Sequence, residues 1–371
     1  MLVLVIIGIV DVVQAAPVSE NAARQKAVAF MTAKDHQCKA IRGVTKDRQE
    51  LNTSSLQMAE HNNAYYIFNI PSNEGYVIVS GDDRLPEVLG YSHSGQYDGN
   101  NIPENMRAWM EGYVRQYEYL QSHPEATVTA QNTNRESIEP MIQCKFDQGV
   151  PYNNQCPTIN GEKAPTGCVA TAMAQIMYYY QWPKQTTDII PAYTTATRKI
   201  SMPAIPVTTI DWDNILGEYN DNSYSDEQAK AISTLMLLCG ASIKMDYDLG
   251  GSGGFSESID FQKYFGYGDQ GEYIRRIQFS SDLWEQILYD ELASGRPILY
   301  HGSTGTEAHA FVMDGYKDGY FHVNFGGVAI QTTISSYRIS GDLSMSKLLL
   351  SVFSLTMKIT QPSIQCSTMA N

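Results

Sequence analysis

Residues 164–175 read APTGCVATAMAQ. Pro165 and Gly167 mark a turn, and everything from Cys168 onward is strong helix former, so a long helix is predicted from about Gly167 through VATAMAQIMYYYQW to the stop at Pro183. Cys168 then sits at a helix N-terminus. Exposed N–H groups and the helix dipole there favour thiolate over thiol, and the thiolate is the form that attacks a carbonyl. Standing alone, such a cysteine reads more readily as a buried, inert residue opening a core helix.

Working outward, two later segments change that balance. His309 begins the β-prone run HAFVMDGY, about 140 residues downstream, a separation that suits a Cys–His pair brought together by folding. Asn324 ends FHVN on what reads as the next strand of a hairpin. A cysteine on a helix, followed by His and Asn on adjacent strands, is the order of papain-type sites. There the imidazole takes the thiol proton, later protonates the leaving amine, and is oriented by the asparagine. Upstream, DQGVPYN supplies Gln148, a side-chain amide able to donate to a developing oxyanion together with the Cys168 N–H. A turn glutamine on the surface is the plainer reading of that residue. His301, His322 and His93 have no comparable context and read as structural or solvated.

The rest of the chain organises around this core. It has 371 residues, 43% of them hydrophobic and 18% charged, which is room for two globular units. A formal charge of -14 argues against a nucleic-acid or anionic-membrane partner. The opening MLVLVIIGIV with small residues at Ala15 and Ala16 reads as a signal peptide over 1–16, implying a secreted protein, extracellular or periplasmic, with no membrane association once the signal is removed. Residues 20–34 and 105–121 read as helices, and AYYIFNI and GYVIVSG as a hairpin through PSNE. The polar stretch from Ser122 to Glu139 reads as a linker open to proteolytic nicking. Beyond it, DEQAKAISTLMLLCG and DLWEQILYDELASG read as helices, followed by ILYHG, HAFVMDGY, YFHVNF, SSYRIS and LLLSVFSL as antiparallel strands. The six cysteines are too few and scattered for a disulfide framework; Cys144 and Cys156 could bridge in an oxidising compartment, which the sequence does not establish, and Cys239 reads as a buried small hydrophobe. No metal-ligand spacing is present, and no cofactor or metal is expected.

GYVIVSGDDRLPEVLGYSHSG, DQGVPYN, TGCVATAMAQIMYYY, IDWDNIL, AISTLMLLCGASIKMDYD, HAFVMDGY and FHVN together resemble the streptopain family of bacterial secreted cysteine peptidases made as zymogens. The resemblance implies an α+β fold: a papain-like two-lobe catalytic domain, helical lobe plus antiparallel β lobe, over 139–371, preceded by a small α+β inhibitory prosegment over 17–138. It implies Cys168 and His309 as catalytic dyad, Gln148 as oxyanion donor, protein or peptide substrates, and the prosegment as intramolecular inhibitor. The loop from Asp98 to Asn105 resembles the one that disturbs the histidine in the zymogen. The Gly-rich LGGSGGFS lacks the GK[ST] of a phosphate loop; the resemblance matches it to a mobile loop beside the cleft, with Gly251 and Gly253 substrate-facing, and a plain flexible linker is the other reading. One departure stands out. The family follows HVN with a Trp-Gly-Trp-Gly-Gly run, whereas this chain reads HVNFGGVAIQTT. Phe325 replaces a tryptophan that packs over the histidine–asparagine pair, with less area and no N–H. A catalytically impaired, peptide-binding relative is therefore the alternative to an active endopeptidase. A transglutaminase-like acyltransferase is disfavoured by Asn324 where an Asp is expected.

Overall fold

The computed structural model describes residues 17–42, 51–130, 134–220, 223–256, 258–268, 272–303, 308–327, 331–335, 337–339 and 353–356. The expected signal peptide lies outside the described residues. The chain divides into two compact units, one formed by residues 1–99, 110–131 and 335–343 and the other by 100–109, 132–334 and 344–371.

In the first unit, α1 (Glu20–Arg42) runs further than the sequence suggested. Its buried Ala23, Ala27 and Met31 recur every four residues, the stripe by which a helix seats on a sheet. That sheet has the order β1 (Gln57–His61), β2 (Tyr65–Asn69), β3 (Tyr76–Ser80), β4 (Val88–Ser92), all antiparallel. All five residues of β3 are buried, as expected of a strand enclosed on both faces. The predicted hairpin is β2–β3, and Ser72 and Asn73 in its turn take left-handed backbone. Helix α2 (Glu104–Ser122) has its first residues counted with the second unit and the remainder with the first. The stretch read as a bare linker contains a short strand, β5 (Val128–Ala130). It pairs with β15 (Tyr337–Ile339), a partner two hundred residues away that no local pattern announces.

The second unit begins with two two-residue ribbons, β6 (Thr158–Ile159) with β7 (Glu162–Lys163) and β8 (Tyr193–Thr194) with β9 (Ser201–Met202). Its central element is α3 (Cys168–Tyr180). Val169 through Met177 are buried without interruption, so this helix is covered on every side and is a core element rather than a surface one. It ends at Gln181, whose left-handed backbone lets its N–H cap the carbonyls of Met177 and Tyr178, two residues before Pro183. Helix α4 (Asp226–Ser242) starts on a reciprocal capping box between Ser225 and Gln228 and packs on α3, with Cys239 Sγ 3.6 Å from Met177 Sδ. Helices α5 (Ser258–Phe265) and α6 (Ser281–Ala293) complete the helical part.

The β part is antiparallel, in the order β14 (Gln331–Ser335), β13 (Tyr320–Asn324), β12 (Ala308–Lys317), β11 (Ile298–Ser303), β16 (Phe353–Thr356), β10 (Glu272–Arg275). Registers are fixed by His301↔Ala310 and Gly302↔His309 between β11 and β12, and by Val312↔Asn324 between β12 and β13. Cys144, Cys156, Cys168 and Cys239 are free thiols, so no Cys144–Cys156 bridge forms. Among the described residues no helix is long and apolar enough to cross a membrane, and no His, Cys, Asp or Glu cluster could hold a metal. Leu235 on α4 is fully buried in the core shared with α3. Leu235→Ala is expected to cost about 3 kcal/mol through lost burial and the cavity left behind, read as a lower urea midpoint with unchanged m.

Candidate active site

Gly167 is the residue that lets α3 begin at a cysteine. Its φ of 88° is left-handed, and a Cβ there would meet Met245 Cε at 2.6 Å and the Ser252 carbonyl at 2.8 Å. The turn before it is held from two sides. Thr166 N–H donates to the Gln148 carbonyl at 3.1 Å, and Ser252 Oγ donates to the Pro165 carbonyl at 2.7 Å. The backbone of Gln148 and the side chain of Ser252 in the Gly-rich stretch are thus both fastened to the residues that precede Cys168.

Cys168 Sγ accepts a hydrogen bond from Ala310 N at 3.3 Å. The start of β12 therefore lies against the N-terminus of α3, and His309 is the residue immediately before the contact. Cys168 keeps a little exposed surface, yet its sulfur is surrounded by protein, and burial pushes the thiol pKa up. Donation from the N–H groups of Ala310, Val169 and Cys168 itself works the other way, and the Glu104 carboxylate adds to the rise. The helix N-terminus does act as expected on the sulfur, but desolvation outweighs it in this form of the chain.

Asn324 lies on the strand next to the one carrying His309, but register sets its direction. Paired with Val312, it shares the face of Val312 and Ala310, whereas His309 alternates to the other face. Its amide is 2% exposed and its hydrogen bonds run inward rather than to the His309 ring. Oδ1 accepts from Gln175 Nε2 at 2.9 Å and from Gly326 N at 3.0 Å, and Nδ2 donates to the Cys144 carbonyl at 3.1 Å. Gln175, on α3 two turns after the cysteine, is a site residue that sequence reasoning missed; within MAQIM it reads as one more helix former.

Phe325 is 3% exposed, its ring packed 5.1 Å from Phe311 and 6.5 Å from Trp109. In this structure it is a core contact and not an open surface. Gly251 lies against Glu104, whose Oε2 would be 3.2 Å from a Cβ at that position, and Gly253 pairs with Asp246 in a two-way backbone bridge. Asn105, also buried, donates from Nδ2 to the carbonyls of Ala310 at 2.9 Å and Phe325 at 2.6 Å. It thereby joins the residue after His309 to the residue after Asn324. Residues Glu104 and Asn105 belong to the segment that the sequence reading assigned to the inhibitory loop.

Two of the remaining histidines are structural, as read. His301 is buried on β11 opposite Ala310, with its pKa pulled down to about 4 by burial. His322 Nδ1 is 2.5 Å from Asp314 Oδ1, while Asp314 Oδ2 accepts from Ile142 N at 2.6 Å.

Comparison with known proteins finds two family matches along the chain. Residues 146–329 match the Peptidase C10 family and residues 15–117 match the Spi protease inhibitor family. The chain is 32% identical over 334 residues to streptopain of Streptococcus pyogenes, covering 83% of this chain and 82% of that protein. It is 31% identical over 342 residues to the thiol protease/hemagglutinin PrtT of Porphyromonas gingivalis, of whose length it spans 38%. Among solved structures, a prointerpain A fragment of Prevotella intermedia superposes with a TM-score of 0.71 at 25% identity, covering 83% of this chain and 99% of that one. Active interpain A superposes with a TM-score of 0.51 at 27% identity over 61% of this chain and 98% of that one.

Since the Cys168 thiol is pushed up in this form, its alkylation by iodoacetamide in the intact precursor is expected to be slow at neutral pH. The rate should keep climbing above pH 9, the ordinary thiol value, because the reactive thiolate is still accumulating there. A rate already level at pH 7 would mean that the sulfur is ionised in the precursor.

Proposed function

The chain belongs to the streptopain family, Peptidase C10, and from that premise we propose that this cysteine peptidase is secreted as a zymogen and cleaves internal peptide bonds through a thioester on Cys168. The thiolate attacks the substrate carbonyl, and His309, having taken the thiol proton, returns it to the leaving amine. Water then hydrolyses the thioester with His309 as base, regenerating the thiol. The Cys168 N–H and the Gln148 amide hold the oxyanion; a donor of this kind is typically worth about 10²–10³ in turnover. The observation that carries the reading is the 3.3 Å contact of Ala310 N on Cys168 Sγ, since it brings the start of the His309 strand to the head of the nucleophile helix.

Residues 17–138 are the inhibitory prosegment in this reading and 139–371 the catalytic domain. Asn105 supports the inhibitory part. Its buried amide holds the carbonyls of Ala310 and Phe325, which flank the groups the reaction needs. Glu104 places a carboxylate where it disfavours the thiolate. Gly251 and Gly253, tethered beside the turn into Cys168, would meet substrate once that segment leaves, and Phe325 would then line the cleft. Secretion rests on the apolar run before Ala16.

Two observations favour the second reading, an impaired peptide-binding relative. Phe325 stands in place of the family's tryptophan, and the Asn324 amide is turned to Gln175. Incubating the purified precursor under reducing conditions beside Cys168→Ala separates them. The active reading expects the wild type to shorten by roughly the prosegment and gain thiol-dependent peptidase activity while the variant stays intact. If the wild type stays inactive even after another protease removes the prosegment, the impaired reading takes over. Asn105→Ala is expected to mature at least about tenfold faster, since it removes two buried hydrogen bonds that hold the inhibitory segment. Unchanged latency would sink the role given to Asn105.

A further inference from the structure

A cradle on the catalytic unit, away from Cys168, is built to hold a guanidinium group, and one arginine of the chain already fills it. Arg135 Nη1 donates to Glu285 Oε1 at 2.6 Å and Nη2 donates to Gln286 Oε1 at 2.9 Å. The guanidinium carbon lies 5.0 Å from the ring centre of Tyr289 and 6.0 Å from that of Tyr316. The two rings meet edge to face at 5.2 Å, forming a corner of two aromatic walls. Tyr289 Oη donates to the Glu136 carbonyl at 3.1 Å, so the backbone beside the arginine is gripped as well.

The cradle is a permanent part of the unit. Glu285, Gln286 and Tyr289 are on α6, with Tyr289 one turn beyond Glu285, and Tyr316 is on β12. Glu285 is only 5% exposed, and a carboxylate that buried is rarely found without a cationic partner. Burial lifts its pKa to about 7 even with the arginine present. A planar, weakly hydrated guanidinium suits a site of one buried carboxylate, one amide oxygen and two ring faces; a compact, strongly hydrated ammonium does not.

Arg135 itself belongs to the stretch that maturation removes. Glu136, Ser137 and Glu139 are exposed and Ile138 is bridged to Tyr316 and partly covered, while Asn134 and several residues upstream are exposed too, so accessible bonds lie on both sides of the arginine. We propose that the mature enzyme carries an arginine-binding site formed by Glu285, Gln286, Tyr289 and Tyr316, which Arg135 occupies in the precursor and an arginine side chain of another polypeptide takes after maturation. This rests on the prosegment boundary proposed above.

The test uses agmatine as the guanidinium probe and cadaverine as its ammonium counterpart, with binding read by calorimetry. In full-length precursor carrying Cys168→Ala, no agmatine binding is expected, because Arg135 fills the cradle. Adding Arg135→Ala should create agmatine binding, and adding Glu285→Gln to that protein should weaken it at least about tenfold, the loss of one charge-assisted hydrogen bond. The matured wild-type enzyme, its N-terminus read by intact mass, should bind agmatine with no substitution at all, and neither protein should bind cadaverine comparably. Failure of agmatine to bind both the Arg135→Ala precursor and a mature enzyme that begins after Arg135, or equal binding of cadaverine, overturns the site while leaving the boundary intact. A mature N-terminus ahead of Arg135 overturns the boundary, and the vacated site with it, even if the substituted precursor binds the probe.

Discussion

The side-chain amide of Asn324 enters the interior at a point where four pieces of chain need to be fixed to one another. Its oxygen takes the Gln175 amide of the nucleophile helix and the N–H of Gly326, and its nitrogen holds the carbonyl of Cys144, four residues before Gln148. Three of its four hydrogen-bonding positions are filled at a place with almost no access to water. An unmet buried polar group costs roughly 1–3 kcal/mol, so the group is stable only when all of these segments are in register at once. The helix bearing Cys168, the segment leading to Gln148 and the strand paired with that of His309 are located by one residue. In a papain-like arrangement the asparagine is expected to orient the imidazole. Here the Asn324 amide instead joins the helix, the Cys144 segment and the strand end to one another.

Asn105 uses the same chemistry from the opposite direction. A planar amide with two N–H donors can hold two carbonyls, and Asn105 takes those of Ala310 and Phe325, each one residue past the two site residues of the β part. Through Asn105 the segment engages the backbone of the site, while Glu104 acts on the sulfur through its charge. A contact made to the backbone holds whatever side chains the neighbouring positions carry. The Phe325 carbonyl that Asn105 grips is indifferent to the ring carried at that position.

Much of this was readable from local pattern. The Pro165–Gly167 turn running into unbroken helix formers gives α3 and its first residue, and the apolar runs after Pro297 mark β11, β12, β13, β15 and β16, though not β14, nor that β15 pairs with β5 outside the main sheet. Direction across the sheet was not readable. Whether Asn324 faces His309 depends on a register that pairs it with Val312, and a one-residue slip would reverse the answer. Gln175 was hidden for a related reason, since a glutamine in a helix interior has the propensity of its neighbours and reveals its role only through a partner on β13. Arg135 and Glu285 lie 150 residues apart, and the polar stretch around Arg135 carries no periodicity to suggest that it docks. Local chemistry announces elements; tertiary pairing decides which polar groups meet.

The thiol shows how the two levels combine. A cysteine at a helix N-terminus is poised for ionisation, and the N–H groups of Val169 and Cys168, joined by that of Ala310, do favour the thiolate. Enclosure and the Glu104 carboxylate outweigh them in the precursor. These opposing influences do not have the same owner. The three N–H donors are part of the catalytic unit's backbone and stay after maturation, whereas Glu104 belongs to the segment proposed to leave and contributes to the covering of the site. Removing that segment subtracts from the side that keeps the proton on sulfur and takes nothing from the side that releases it. The shift toward thiolate would then add to the proton transfer to His309, since the same cleavage that opens the cleft removes the Glu104 carboxylate and part of the covering of the sulfur.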